Sequence, residues 1–163
     1  CYSHLPGIVF EIDEVKVEVL AKQRPEWIIY QADATTALSE GYTLDHTIEF
    51  IDIDPYGEPW PIIDALLFGK TKLHNTLTLV VNDGLRQKLQ TGSGWNVKSL
   101  SPIINRYGSS TLCAQYLGIV QELLKAKVVE AGFALDHFEG YYTGHNGMMT
   151  HYAAVISRTG AAS

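Results

Sequence analysis

The sequence predicts an α/β fold whose sheet is mostly parallel, flanked by helices and finished by an antiparallel strand pair. Three observations carry this. Runs of β-branched and aromatic residues alternate with segments of helical spacing through the first half, as in repeated βα units. Several of those runs end in acidic or amide residues. The last two strand-like segments, Phe133 to Tyr142 and Met149 to Arg158, are joined through Thr143-Gly-His-Asn-Gly147, a link short enough to make them antiparallel.

Taken in order, Gly7-Ile-Val-Phe-Glu-Ile-Asp13 reads as a short buried strand ending in acid. Glu14 to Arg24 follows with Val15, Val19 and Leu20 at helical spacing, and Pro25 stops it. Trp27-Ile-Ile-Tyr30 is the next strand and closes in Gln31-Ala-Asp33-Ala. Thr35 to Ser39 is a short helix or turn before Gly41. Thr47-Ile-Glu-Phe-Ile-Asp-Ile-Asp54 is the strongest strand, because Ile48, Phe50, Ile51 and Ile53 suit a buried ladder while Pro55, Gly57, Pro59 and Pro61 cannot continue one. Pro61 to Phe68 reads as a helix ended by Gly69, and Leu77-Thr-Leu-Val-Val81 as a strand running into Asn82-Asp83-Gly84. Thr91-Gly-Ser-Gly94 is a loop, and Ser101-Pro102 opens a turn-rich segment. Leu112 to Ala131 is the longest helical stretch, with Tyr116, Ile119, Val120, Leu123 and Leu124 on its apolar side and Gly132 at its end.

A chain of 163 residues with 46% hydrophobic and 18% charged content fits one compact domain over 1–163. No apolar run reaches the roughly 20 residues of a membrane helix, and the N-terminus lacks a signal-peptide pattern, so the expectation is a soluble, cytoplasmic chain away from membranes. Cys1 and Cys113 form neither a disulfide framework nor a zinc knuckle. The net charge of −6 conceals segregation. Between Ala65 and Ser109 stand Lys70, Lys72, Arg86, Lys88, Lys98 and Arg106 against Asp83 alone, a segment suited to a phosphate-bearing partner or to a solvated surface.

In a parallel sheet, ligands sit outside the carboxyl ends of the strands. Glu11 and Asp13, Asp33, Asp52 and Asp54, and Asn82 and Asp83 therefore gather on one edge. Each is also a possible helix cap. Their repetition at successive tips favours a site.

These residues carry a family resemblance. Gly7-Ile-Val-Phe-Glu-Ile-Asp13, Gln31-Ala-Asp-Ala34, Asp52-Ile-Asp-Pro-Tyr-Gly57 and the terminal antiparallel pair resemble the second to fourth motifs and last two strands of class I, Rossmann-like S-adenosylmethionine-dependent methyltransferases, over nearly the whole chain. Asp-Pro-Tyr-Gly followed by Glu-Pro is similar to the Asp-Pro-Phe-Gly-Ser-Pro loop of tRNA guanine-N2 methyltransferases. It is more loosely similar to the Asp/Asn-Pro-Pro-Tyr/Phe loop of other amino methyltransferases, where Tyr56 replaces the second Pro. The resemblance implies S-adenosylmethionine as cofactor, with Glu11 accepting from both ribose hydroxyls, Asp33 meeting the adenine amine, Ala34 offering a backbone N–H, and Asp52 beside them. Ile12 is either an adenine wall or core packing.

The resemblance further implies methyl transfer to an exocyclic amine of a nucleic-acid base, RNA in preference to DNA, with tRNA guanine foremost. Asp54 and the Pro55 carbonyl would hold the amine hydrogens, and Tyr56 would stack on the base. No metal is needed. The family's first strand and glycine-rich loop have no counterpart here, because only Cys1-Tyr-Ser-His-Leu-Pro6 precedes the strand resembling the second one. The expectation is an N-terminally incomplete sheet that lacks two ladders of hydrogen bonds and binds the cofactor weakly or not at all. Such a sheet would close up or have its edges covered by a second copy as a homodimer.

Other constellations carry less. His137, His145 and His151 with Asp136 match no metal-ligand spacing. Ser3-His4 and Ser109-Ser110 lack the partners of a hydrolase triad. Trp60 and Trp95 each follow a Pro- or Gly-rich loop at the ligand edge, with core packing as the alternative. Tyr141 and Tyr142 either pack on the hairpin or touch a substrate. A non-catalytic methyltransferase-like subunit binding RNA or protein is the second functional reading. A nicotinamide oxidoreductase is disfavoured because no Gly-x-Gly-x-x-Gly follows a first strand.

Overall fold

The computed structural model describes residues 7–55, 57–91 and 100–160. Strand β1 (Ile8–Glu11) leads into helix α1 (Glu14–Gln23), whose first turn is closed by Asp13: its carboxylate accepts from the backbone N–H of Val15 and Lys16. Strand β2 (Ile28–Gln31) pairs with β1 in parallel, Glu11 opposite Gln31. Helix α2 (Ala34–Glu40) is capped by Asp33, and Gly41, at φ +84°, supplies the left-handed turn that ends it. Strand β3 (Thr47–Ile53) and helix α3 (Trp60–Phe68), with Pro61 in its first turn, follow as expected.

Strand β4 (Lys72–Asp83) begins well before Leu77, where the apolar run starts. Polar residues at its entry pair with β3 and β6 through the backbone and leave no hydrophobic signature. Helix α4 (Leu85–Thr91) follows. The loop expected at Thr91–Gly94 lies, apart from Thr91, outside the described residues, as does Trp95. The turn-rich reading of Ser101–Pro102 is corrected: helix α5 (Ser101–Tyr107) starts there, because a proline in the first turn gives up an N–H that has no intrahelical partner. The single long helix is two, α6 (Ser109–Ala114) and α7 (Tyr116–Glu130), broken at Gln115. The break brings Tyr116, Val120, Leu124 and Val128 onto one buried stripe at four-residue spacing. Strands β5 (Phe133–Thr143) and β6 (Met149–Arg158) are antiparallel neighbours linked through a short 3₁₀ turn at His145–Gly147.

The strands form two sheets. One holds β1 and β2; the other runs β3-β4-β6-β5, with β3–β4 parallel and the two remaining pairings antiparallel. Among the described residues no ladder joins β1 to β3, so the sheet does not close up over the site of the strand the family resemblance found missing. Helix α2 packs on α3 and bridges the two sheets. The core lies on one face of the larger sheet, where Leu77, Leu79 and Val81 of β4 and Ala154 and Ile156 of β6 meet Val120, Leu124 and Val128 of α7. Burying each large side chain there contributes roughly 1.5–3 kcal/mol. By contrast α1 has no fully buried residue: Val17 and Leu20 are half-buried and Val15 is 71% exposed. No helix among the described residues is long and apolar enough to cross a membrane.

Candidate functional site at the strand tips

The tip of β3 is built by a change of chain chemistry. Ile53 is buried, and the alternation of the strand turns Asp52 and Asp54 to the opposite, exposed side. Beyond Asp54 the ladder stops at Pro55, and the Gly57 N–H donates to the Pro55 carbonyl at 2.7 Å. Gly57 sits at φ +132°, a conformation that L side chains rarely adopt, so the turn selects glycine. The result presents the Asp54 carboxylate outward, with the Pro55 carbonyl beside it. Burial, and then the nearby charge of Asp54, push the Asp52 carboxyl above its ordinary range. Tyr56 lies outside the described residues.

Beneath this tip lies a buried polar cluster around Asp83, which the sequence reading placed at the ligand edge and the structure turns into the core. Asp83 is fully buried; its Oδ1 accepts from the Leu85 N–H at 2.8 Å and its Oδ2 from the Tyr116 hydroxyl at 2.8 Å. Burial raises its pKa from 3.8 to about 6, the two hydrogen bonds oppose that rise, and the charge of Glu58 adds to it. The same burial, with Asp83 close by, holds the Tyr116 and Tyr152 hydroxyls far above the usual phenol range. The Tyr152 hydroxyl, the Thr150 hydroxyl and the Trp60 indole N–H are buried with no hydrogen-bond partner among the described residues. The signal for Asp83 was present: it continues the phase of Leu77, Leu79 and Val81, all of which face the core. Gly84 packs near the Gly57 carbonyl, so the end of β4 forms the floor of the β3 tip.

The expected cofactor residues gather at the ends of β1 and β2. Glu11 stands at the tip of β1; its Oε1 accepts from the Asp13 N–H at 2.9 Å, and Oε2 lies 3.8 Å from the Lys16 ammonium. Asp33 uses Oδ1 to cap α2, accepting from the Thr36 N–H and hydroxyl. Each carboxylate thus has one oxygen already engaged in ordering the chain. Ala34 opens α2 directly after Asp33. Ile12 is 71% exposed, which removes core packing as its role. Asp52 stands apart from these, on β3 in the other sheet.

Trp60 is fully buried, which makes core packing its role. The basic residues do not form one patch. Lys70 and Lys72 stand at the entry of β4, the end opposite its tip. Arg86 pins the β5–β6 turn by donating to the carbonyls of Gly147, Asn146 and Cys113, with its guanidinium 4.0 Å from the Tyr142 ring centroid. Arg106 lies over Tyr107, and Lys98 is outside the described residues. Among the described residues of this basic segment, Lys88 approaches the β3 tip, with its ammonium close to Gly57.

The sequence matches no family profile, and no curated protein is found as a relative. Solved structures do match. Over 93% of this chain, TYW2 of M. jannaschii, solved in complex with AdoMet, superposes with a TM-score of 0.55 at 12% identity. The plantazolicin methyltransferase BamL, solved with a triazolic desmethylPZN analog and SAH, superposes over 93% with a TM-score of 0.54 at 11% identity. The related BpumL complex gives 0.51 over 94% at 14% identity. The chain has the fold of the class I methyltransferases. It spans only 57% of the TYW2 chain and 67% of the BamL chain, so this methyltransferase fold is represented in part. In it, β1 and β2 end side by side in the smaller sheet, with Glu11 opposite Gln31, and β3 and β4 end side by side in the larger, with Ile53 opposite Val81.

Proposed function

We propose that this chain is part of an S-adenosylmethionine-dependent methyltransferase acting on an exocyclic amine of a nucleic-acid base, RNA in preference to DNA, with tRNA guanine the leading substrate. The observation that carries the reading is the exposed Asp54 carboxylate next to the Pro55 carbonyl at the end of a buried strand. An exocyclic amine is a weak nucleophile because its lone pair is delocalised into the ring. Two acceptors holding its hydrogens favour the geometry in which that pair points at the methyl carbon. The Pro55 carbonyl keeps a second lone pair for this beside its bond to Gly57. The cofactor supplies a methyl group already activated on a sulfonium, so the protein's share is alignment and electrostatics. The residues present suit such a cofactor: Glu11 has Oε2 for a ribose hydroxyl, Asp33 an oxygen for the adenine amine, and exposed Ile12 an apolar surface for the ring. The solved neighbours that hold AdoMet or SAH support the same choice.

The test is calorimetric titration of this chain with S-adenosylmethionine and S-adenosylhomocysteine, repeated on Glu11→Ala, followed by a transfer assay on Asp54→Ala. Weak saturable binding that disappears with Glu11, and transfer that disappears with Asp54 while binding persists, are expected. Undiminished turnover in Asp54→Ala removes that residue from the mechanism. One observation favours a second reading, a non-catalytic RNA- or protein-binding subunit: the cofactor residues and Asp54 stand on separate sheets. A folded chain that binds neither cofactor form, alone or in its assembly, supports that alternative.

A further inference from the structure

The larger sheet has a second face. On it Asp54 follows Ile53, which is paired with Val81, so Asp54 stands beside Asn82; Asn82 is paired with His151, and His151 with Tyr141. Strand alternation puts these four side chains opposite the buried Val81, Asp83, Thr150 and Tyr152. They form a row across four strands at the ligand edge. The rings of Tyr141 and His151 are stacked at 5.4 Å between centroids and 11° between planes. Tyr141 is nevertheless 62% exposed, so much of its ring is open to solvent. An exposed, pre-stacked aromatic pair beside an amide is costly to leave in water and suited to extending its stack with another flat ring.

We infer that the Tyr141–His151 pair is a stacking platform for a nucleobase flanking the one whose amine Asp54 holds, with Asn82 between them to hydrogen-bond a base edge. This rests on the methyl-transfer reading for the role of Asp54. The spacing decides against one base touching both ends. Three strand steps of about 4.8 Å place Tyr141 roughly 14 Å across the sheet from Asp54, several times the 3.4 Å step between stacked bases. The ligand is therefore a single-stranded or looped segment whose neighbouring bases are splayed apart, the form in which aromatic side chains read RNA. The row contains no lysine or arginine, so what it offers a ligand is ring stacking and neutral hydrogen-bonding groups.

The experiment is anisotropy titration, at low ionic strength and without methyl donor, of a labelled single-stranded RNA tetranucleotide containing guanine and of the same oligonucleotide with abasic flanking positions. The proteins are the whole chain, Tyr141→Ala, His151→Ala and, as a control on an exposed tyrosine elsewhere, Tyr107→Ala. Loss of the Tyr141 ring is expected to weaken binding by at least about fivefold, with the salt dependence unchanged, no loss in Tyr107→Ala, and no further loss on the abasic probe. No binding of either probe, equal weakening by Tyr107→Ala, or the same Tyr141→Ala penalty on the abasic probe would overturn the inference. Because no transfer is measured, a platform that fails leaves Asp54 chemistry standing. A platform that binds RNA while Asp54→Ala keeps full turnover removes the chemistry alone.

Discussion

Replacing Asp83 by asparagine separates the cost of a buried charge from the value of its hydrogen bonds. In the folded chain the carboxyl titrates at about 6, against 3.8 when solvated. Between those two values the folded state binds more protons than the unfolded one, so the contribution of Asp83 to stability falls as the pH rises through that window. A rise of this size, at 1.36 kcal/mol per unit, corresponds to about 3 kcal/mol. The side chain is fully buried, so solvent screening gives no reason to discount it. Asparagine keeps an oxygen for the Leu85 N–H and turns an amide toward the Tyr116 hydroxyl, which can then accept. Urea unfolding of both proteins at steps from about pH 4 to about pH 8 should show the variant gaining about 2.4 kcal/mol of this on the parent, nearly all of it below about pH 7. Carboxylates that do not act on Asp83 drop out of the difference, whereas Glu58, whose charge raises its pKa, does not. A gap that stays constant with pH would refute the assignment of the raised pKa to Asp83.

Gly69→Ala should destabilise by about 1–3 kcal/mol, read as a lowered Tm, because the new Cβ would lie 2.2 Å from the Ala65 carbonyl oxygen and 2.8 Å from that of Leu38. Asp33→Ala should cost about 1 kcal/mol through loss of the α2 cap, while Asp33→Asn restores most of it; equal losses in denaturant unfolding would mean that the cap is not the source. Lys127→Met removes the ammonium that meets the Asp64 carboxylate at 2.5 Å, and since both groups are partly exposed the loss should stay below about 1 kcal/mol and shrink further in salt.

The order of strands and helices was legible because β-branched runs, Asp caps and Gly or Pro stops agree along the first half of the chain. Gly41 and Gly69 end helices where the sequence placed those ends. The break at Gln115 carried no Pro or Gly stop in the sequence, and it falls where Tyr116 turns its hydroxyl onto the buried Asp83. Clustering of basic residues in sequence also failed as a guide to surface charge: a twelve-residue strand carries Lys72 and the Lys88 segment to opposite ends of the sheet. At the site, the acids at strand tips were legible as a group, but their division of labour was not. Asp13 and Asp33 cap helices, Asp54 faces outward, and Asp83 turns inward because the alternation of β4 carries it onto the core face.

The division of the strands into two sheets sets how the site is held together. Glu11 and Asp33 stand on the smaller sheet, Asp54 and Asp83 on the larger, and among the described residues no strand ladder fixes the distance between the pairs. That distance is maintained by α2 resting on α3, where the Gly69 backbone comes close to the Leu38 carbonyl and Ser39 at the end of α2. A side chain at position 69 therefore acts at the joint between the two sheets. If cofactor and methyl acceptor are gripped from different sheets, Gly69→Ala should weaken their coupling more than it weakens either binding step. A ladder between β1 and β3 would make the same joint redundant: backbone hydrogen bonds along two parallel edges fix register and spacing more stiffly than helix packing alone. The exposed apolar side chains of Ile12, Val15 and Val19 lie with the smaller sheet, whose Phe10 packs against the core. The precision of the site thus resides less in its acidic residues than in whatever orders the space between β1 and β3.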